Sequence, residues 1–283
     1  MLKAGKPKPI LPHGAIDTHF HVFGPEHRYP YAPDRSYTPP DAAFETWHKA
    51  AQSEGISAGV LVQASVHGFD NSQIADMLRN PPIPLRGVAA LAPETNEQDL
   101  ADLDALGFRG ARVNTVFSSG MKLAEAEKIA ALLRGTGWHL EFLSDVSQID
   151  GLRSMVERLD LPVVFAHFGH VQADRALATP GVKDLLGLVQ DGLAWVKLSG
   201  PARITSHAVP PYDDIIPLVE AFCAANPDRL LWGSDWPHTA LSRQTPTMKE
   251  LVDMAVRWLP DPELASRVLV TNPRKLYGFS EKV

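Results

Sequence analysis

The chain predicts a single (β/α)8 barrel, an α/β fold, and three observations lead there. Eight short runs rich in apolar and β-branched residues recur along its 283 residues, most of them followed by a stretch of helical periodicity. The runs carry few polar residues on either face, as strands do in a parallel sheet covered by helices. No Gly-x-Gly-x-x-Gly follows the first run, which counts against an open dinucleotide-binding sheet. No linker, internal repeat or low-complexity tract divides the sequence, so residues 1–283 read as one domain with residues 1–13 as an N-terminal extension.

The first run is 15–23. The Pro-rich stretch 25–40 after it is expected to be a long βα loop over the active-site face. Asp41 is expected to cap a helix reaching Glu54, which Gly55 stops. The second and third runs are 56–65 and 85–91. A helix over 98–106 ends at Gly107 and leads to the fourth run, 108–115. A helix over 123–133 ends near Gly135, before the fifth, 138–144. A helix over 148–159 precedes Pro162 and the sixth, 162–168. A helix over 184–189 ends near Gly192, before the seventh, 193–199. A helix over 212–225 precedes Pro227 and the eighth, 230–235, and helices over 247–259 and 262–268 follow.

Lys and Arg number 27 against 33 Asp and Glu, a net charge of −6 with no basic stripe, so neither nucleic acid nor a membrane is expected as a partner. The opening residues lack the apolar run of a secretory signal, and no stretch approaches membrane-spanning length; a cytoplasmic protein is expected. Cys223, the one cysteine, lies in a helical stretch and reads as a buried inert thiol.

In such barrels the active site is built where strands end and βα loops begin. His19 and His21 leave the first run together, because alternate strand residues share a face. Ser65 and His67 follow the second run, Arg112 and Asn114 end the fourth, and His167 and His170 follow the sixth. Arg203 follows the seventh, and Asp235 and His238 end the eighth. Seven of the eleven histidines (19, 21, 67, 167, 170, 207 and 238) fall at such ends, which argues for one polar site. A buried arginine needs an anionic partner. Arg112, and less directly Arg203, are therefore read as holding a substrate carboxylate, with Ser65, His67, Asn114, His170 and His238 as further substrate contacts. Lys197 and Glu141 line strands whose facing the pattern leaves open.

Asp17-Thr18-His19-Phe20-His21, the histidine of the sixth run, and Trp232-Gly233-Ser234-Asp235-Trp236-Pro237-His238 resemble the amidohydrolase superfamily. Within it they are most similar to the amidohydrolase-2 branch and its 2-pyrone-4,6-dicarboxylate lactonase group. Val22-Phe23-Gly24-Pro25, Tyr29-Pro30-Tyr31-Ala32-Pro33, Tyr37-Thr38-Pro39 and Val62-Gln63-Ala64-Ser65 fit the same group, and the similarity runs from about residue 14 to residue 278. The resemblance implies hydrolysis of a lactone ring in a small carboxylated metabolite: a pyrone dicarboxylate, a muconolactone or a sugar-acid lactone. It implies Asp235 as the base that activates water and later returns the proton. His19, His21 and His167 would surround the scissile carbonyl and stabilise the oxyanion, and Arg112 and Arg203 would hold carboxylate. Lactone hydrolysis does need such a base and such donors, and a guanidinium suits a carboxylate.

The departures from the superfamily also carry information. Strand 4 ends in Arg112-Val113-Asn114, without the lysine that bridges two metals in many members, and His139 stands at the N-terminal end of the fifth run. A binuclear centre is not expected, and the reaction is expected to need no cofactor. A single zinc or manganese on His19, His21 and Asp235, joined by His167, is the alternative the donors allow. The group's pattern places further arginines six residues after Arg112 and three after His167; here Ser118 and His170 stand there. Each charge-assisted contact is worth roughly 1.5–3 kcal/mol, so a lactone with fewer carboxylates than the pyrone dicarboxylate is expected. The competing readings are a metal-dependent decarboxylase of an unsaturated or aromatic acid, a lactone isomerase, and a barrel that binds a small acid without catalysis.

Overall fold

The computed structural model describes residues 11–117 and 122–280. Its strands are β1 (Ala15–Phe20), β2 (Ile56–Val62), β3 (Leu85–Ala89), β4 (Phe108–Asn114), β5 (His139–Leu143), β6 (Val163–Phe165), β7 (Ala194–Ser199) and β8 (Leu230–Gly233). They pair in parallel in the order β1 to β8. The ring closes between its ends: the Asp235 N–H donates to the His19 carbonyl at 2.8 Å, and the His21 N–H to the Trp236 carbonyl at 2.8 Å. The expected (β/α)8 barrel is the observed one.

The helices are α1 (Phe44–Ser53), α2 (Ser72–Arg79), α3 (Glu97–Leu106), α4 (Ala126–Leu133), α5 (Leu152–Leu159), α6 (Ala173–Ala176), α7 (Pro180–Gln190), α8 (Pro201–Ile204), α9 (Ile216–Ala225), α10 (Met248–Trp258), α11 (Pro262–Ser266) and α12 (Asn272–Tyr277). Local chemistry sets several ends. Asn96 and Asp99 form a reciprocal capping box on α3, and Gly107 stops it in the left-handed region at φ 107°. Thr247 and Glu250 do the same for α10. Asp41 does not cap α1; Ala43 holds that position without a side-chain bond. The sequence reading passed over α2, a single short amphipathic turn pair that buries Ile74, Ala75 and Leu78.

The core has two layers because the strands are apolar on both faces. One lies between strands and helices. The other fills the lower barrel, where Ile16, Val60, Val88, Val164 and Leu231 meet Tyr277 of α12. The last helix is thus the floor of the barrel, a role its sequence does not announce.

At the other end the strands are shorter than expected. Backbone at His167 (φ 53°), Phe168 (φ 58°), His170 (φ 59°), Asp235 (φ 60°) and His238 (φ 65°) turns into the left-handed region and leaves the ladder. Each such non-glycine residue costs about 1–3 kcal/mol, and these five gather at two strand ends. The loop after β1 crosses this face. Its Ala32 N–H donates to the Val66 carbonyl at 2.7 Å, and the Tyr37 hydroxyl accepts from Thr239 at 3.3 Å, linking the ends of β2 and β8.

Asp17 fastens the β8–β1 seam. One carboxylate oxygen accepts from the Ser234 N–H at 2.8 Å, and the other accepts from the Ser234 hydroxyl at 2.6 Å and the Trp47 indole at 3.0 Å. Cys223 is half-buried on α9, and burial pushes its thiol up to about 11. Among the described residues no helix is long and apolar enough to cross a membrane.

Candidate active site

Asp235 is the centre of the site and is fully buried. Its Oδ1 faces three imidazole nitrogens: His167 Nε2 at 3.6 Å, His21 Nε2 at 3.8 Å and His19 Nε2 at 4.0 Å. Its Oδ2 accepts from Arg203 Nε at 2.7 Å, and Arg203 Nη2 reaches Oδ1 at 3.3 Å. His238 Nδ1 lies 3.7 Å from Oδ2. Burial alone would raise the Asp235 carboxyl, but the Arg203 guanidinium and then His167 and His238 hold it well below the usual carboxylate range.

Each imidazole is anchored by its other nitrogen. His21 Nδ1 bonds the Val62 carbonyl at 2.7 Å, His167 Nδ1 bonds Ser199 Oγ at 2.9 Å, and His19 Nδ1 lies 3.2 Å from Glu141 Oε1. Such outer partners fix ring and tautomer. A carbonyl only accepts, so neutral His21 carries its proton on Nδ1 and turns a bare Nε2 toward Asp235. Burial holds His21 and His167 well below the ordinary imidazole range. Burial, with Lys197 next, brings His19 to about 4. At neutral pH the three rings are uncharged around one carboxylate.

Arg112 is buried, and Nη1 donates to the Gln63 carbonyl at 2.7 Å while Nε has no partner. That free edge is what an anionic ligand requires. Arg203, expected to do the same, is instead engaged by Asp235, because β7 and β8 are neighbours and both groups sit just past their strand ends. Asn114 uses Oδ1 to accept the Val116 and Phe117 N–H groups at 3.0 and 3.1 Å, leaving a buried Nδ2 without a partner. Ser65 is buried in a 3-10 turn, Ser65–His67. His67 contacts the Pro30 carbonyl at 3.2 Å through Nδ1, and its Nε2 is buried without a partner. The His170 ring lies 6.2 Å from that of His167. Ser118 lies outside the described residues.

Among the described residues, His19, His167 and Asp235 form a compact three-donor group that could take a metal, with ligand atoms all within 4.8 Å. Of the expected set of His19, His21 and Asp235, His21 also turns its Nε2 toward Asp235 Oδ1, at 3.8 Å. His139 stands low in the barrel against Tyr277, ring centroids 5.1 Å apart, and is no ligand for this site. His207 is half exposed beside Asp214 and also lies outside it.

Sequence reasoning missed two glycines. A Cβ on Gly200 (φ 56°) would fall 2.6 Å from His167 Nδ1, and one on Gly233 would fall 2.6 Å from His19 Cβ. Both let a strand end approach a site histidine, and only their places at the ends of β7 and β8 could have flagged them. Gly200→Ala is expected to lose about 1–3 kcal/mol, from overpacking and the positive φ. At about 2–4 °C per kcal/mol, thermal unfolding would show it. An unchanged Tm would mean that the His167 ring has room the structure does not show.

Comparisons with known proteins bear on this geometry. A family model described as Amidohydrolase matches residues 16–279. A 4-sulfomuconolactone hydrolase of Rhizobium radiobacter is 36% identical over 273 residues, covering 95% of this chain and 91% of its own length. A 2-pyrone-4,6-dicarboxylate hydrolase of Comamonas testosteroni is 32% identical, covering 98% of this chain and 94% of its own. An apo crystal structure from Agrobacterium tumefaciens superposes with a TM-score of 0.84 at 27% identity, covering 97% of this chain and 99% of that one.

Proposed function

Because the chain belongs to the amidohydrolase family, whose model spans residues 16–279, we propose that it is a hydrolase that opens the ester bond of a lactone ring in a small carboxylated metabolite. One observation carries this reading. A carboxylate held ionised by Arg203 faces three anchored, uncharged imidazoles within 3.6–4.0 Å. The names of the relatives agree with it.

Asp235 takes a proton from water as the water oxygen bonds to the lactone carbonyl carbon. His21, with its bare Nε2, accepts the second water hydrogen and so orients the attack. Ser199 Oγ accepts the backbone N–H of His167 at 3.3 Å, and its hydroxyl donates to His167 Nδ1 at 2.9 Å. His167 then carries its proton on Nε2 and donates to the developing oxyanion. Collapse breaks the ring C–O bond, and Asp235 returns its proton to the leaving oxygen. Arg112 binds a carboxylate of the substrate. Ser65, His67, Asn114, His170 and His238 line the remaining contacts, with partnerless atoms buried on His67, Asn114 and His238. The substrate class is a lactone with one carboxylate near Arg112, of the muconolactone or sugar-acid type.

The residues also fit one divalent ion: His19 Nε2 is buried without a partner, and His167 and Asp235 lie beside it. Bound there, zinc or manganese would lower the pKa of a coordinated water and polarise the carbonyl. Arg203 already balances the charge of Asp235, which favours the metal-independent route. The test is metal content as isolated, with turnover of a lactone panel before and after chelation. Turnover that survives chelation, with one new carboxyl titrated per turnover, is expected. Stoichiometric metal whose loss abolishes turnover would make His19, His167 and Asp235 ligands and favour the decarboxylase. A product isomeric with the substrate would mean an isomerase.

A further inference from the structure

Below the site lies a buried ion pair that the steps above do not use. Glu141 on β5 and Lys197 on β7 are both fully buried and meet at 2.6 Å between Oε2 and Nζ. A buried pair of this kind adds little net stability, so its value lies in what it orders. What it touches is His19. Glu141 Oε1 is 3.2 Å from His19 Nδ1, and Lys197 Nζ donates to the carbonyl of Thr18, the residue before it, at 2.7 Å. The pair grips that histidine by ring and by backbone.

We infer that Glu141, held in place by Lys197, is a positioning residue that fixes His19 as the Nδ1–H tautomer and turns its Nε2 lone pair toward the space beside Asp235. The hydrogen-bond inventory supports this assignment. Lys197 Nζ also lies 3.4 Å from His19 Nδ1, but its two short contacts are Glu141 Oε2 and the Thr18 carbonyl. Glu141 Oε1 is a buried acceptor without a well-formed hydrogen bond, and a lysine that donated to His19 would leave it so. His19 Nδ1 is within reach of that oxygen at 3.2 Å, and a proton on Nδ1 offers it a donor that a small ring rotation would align. Opposite, Nε2 has no protein partner. It stands 4.0 Å from Asp235 Oδ1, too far for a bond and suited to sharing a water between them. His139 Nε2, 3.9 Å from Glu141 Oε2, lies on the far side and leaves Oε1 to His19.

The inference deepens the hydrolase reading, and its kinetic consequence rests on that reading; the tautomer does not. Nitrogen-15 NMR of histidine-labelled protein, with the His19 signals assigned by their loss in His19→Asn, should show protonated Nδ1 and bare Nε2. Glu141→Gln alone leaves Lys197 buried and unpaired and is expected to unfold readily. The double variant Glu141→Gln/Lys197→Met removes both charges and should fold. In it His19 should lose its single tautomer, and kcat should fall roughly 10–100-fold, with KM within about threefold. Protonated Nε2 in the unaltered protein would overturn the inference. So would a folded double variant that keeps both the tautomer and kcat. Should the unaltered protein show the tautomer but open no lactone, the hydrolase reading fails and the positioning role stands.

Discussion

Asp235→Asn is expected to lower kcat about 10²–10⁴-fold, the usual worth of a positioned general base. Asparagine keeps the shape but cannot take a proton from water. The substitution also leaves Arg203, whose side chain is only 8% exposed, without its counter-charge. Breaking such a pair costs about 3–5 kcal/mol, so lost rate must be separated from lost fold. The double variant Asp235→Asn/Arg203→Met removes both charges; it should recover most of the Tm and none of the rate. A folded single variant with a tenth of the original rate would remove Asp235 from its role.

The pH profile gives an independent check of the same group. The base works when ionised, and its carboxyl is held well below the usual range against the opposing effect of burial. Asp235 should therefore stay ionised as the pH falls through the ordinary carboxylate region near 4, where a limb belongs to His19, brought to about 4, and the limb of Asp235 lies below it. Arg203→Met removes the nearest cation, so the acid limb should move to higher pH. The stability that this depression contributes is present above the unfolded carboxylate value and is lost as the pH falls through the folded one. A profile that Arg203→Met leaves unmoved would mean that Arg203 does not govern Asp235.

The barrel was legible because its signal is periodic and repeated: eight apolar runs, most of them followed by a helix, leave few alternatives. The runs were read too long at 23 and 168 because apolar and aromatic residues continue past the ladder, and at 235 the polar Ser234 and Asp235 were counted with the strand. Left-handed turns at His167 and Asp235, which propensity does not foretell, end the strands early. The histidines and Asp235 were legible for a related reason. Polar groups that follow an apolar run stand out, and strand ends converge in a barrel whatever their distance in sequence.

Pairing was not legible. Arg203 and Asp235 are 32 residues apart, and so are His167 and Ser199; each pair meets because consecutive strands are neighbours. Choosing Asp235 over a substrate as the partner of Arg203 needs the loop geometry after β7. Glu141 and Lys197 were left open for lack of a facing. Inside a barrel both faces of a strand are buried, so alternation cannot say which side is inward. Closure by α12 answers it, since Tyr277 fills the floor and the polar residues above it must face one another.

Arg112→Met should raise KM for a carboxylated lactone about 10–100-fold while changing kcat little, because one charge-assisted contact is worth roughly 1.5–3 kcal/mol. The buried guanidinium loses some of its basicity to desolvation, with Glu141 first among the charges that oppose the loss. It remains a cation at any working pH, and its Nε has no protein partner. A ligand that supplies no anion leaves that donor unpaired, so the methyl ester of the same lactone should bind poorly to the unaltered enzyme and gain nothing from Arg112. The loss on substitution should therefore be large for the acid and small for the ester. Equal losses would make Arg112 a structural residue. The same reasoning limits the charge of the substrate. Arg203 is engaged by Asp235, position 170 is His, and position 118, outside the described residues, is Ser. A second carboxylate lacks the guanidinium partner that the first has in Arg112. The pyrone dicarboxylate should accordingly be opened with kcat/KM below about 10⁵ M⁻¹s⁻¹, and a single-carboxylate lactone faster. A higher value for the dicarboxylate would mean that another group supplies the second cationic contact.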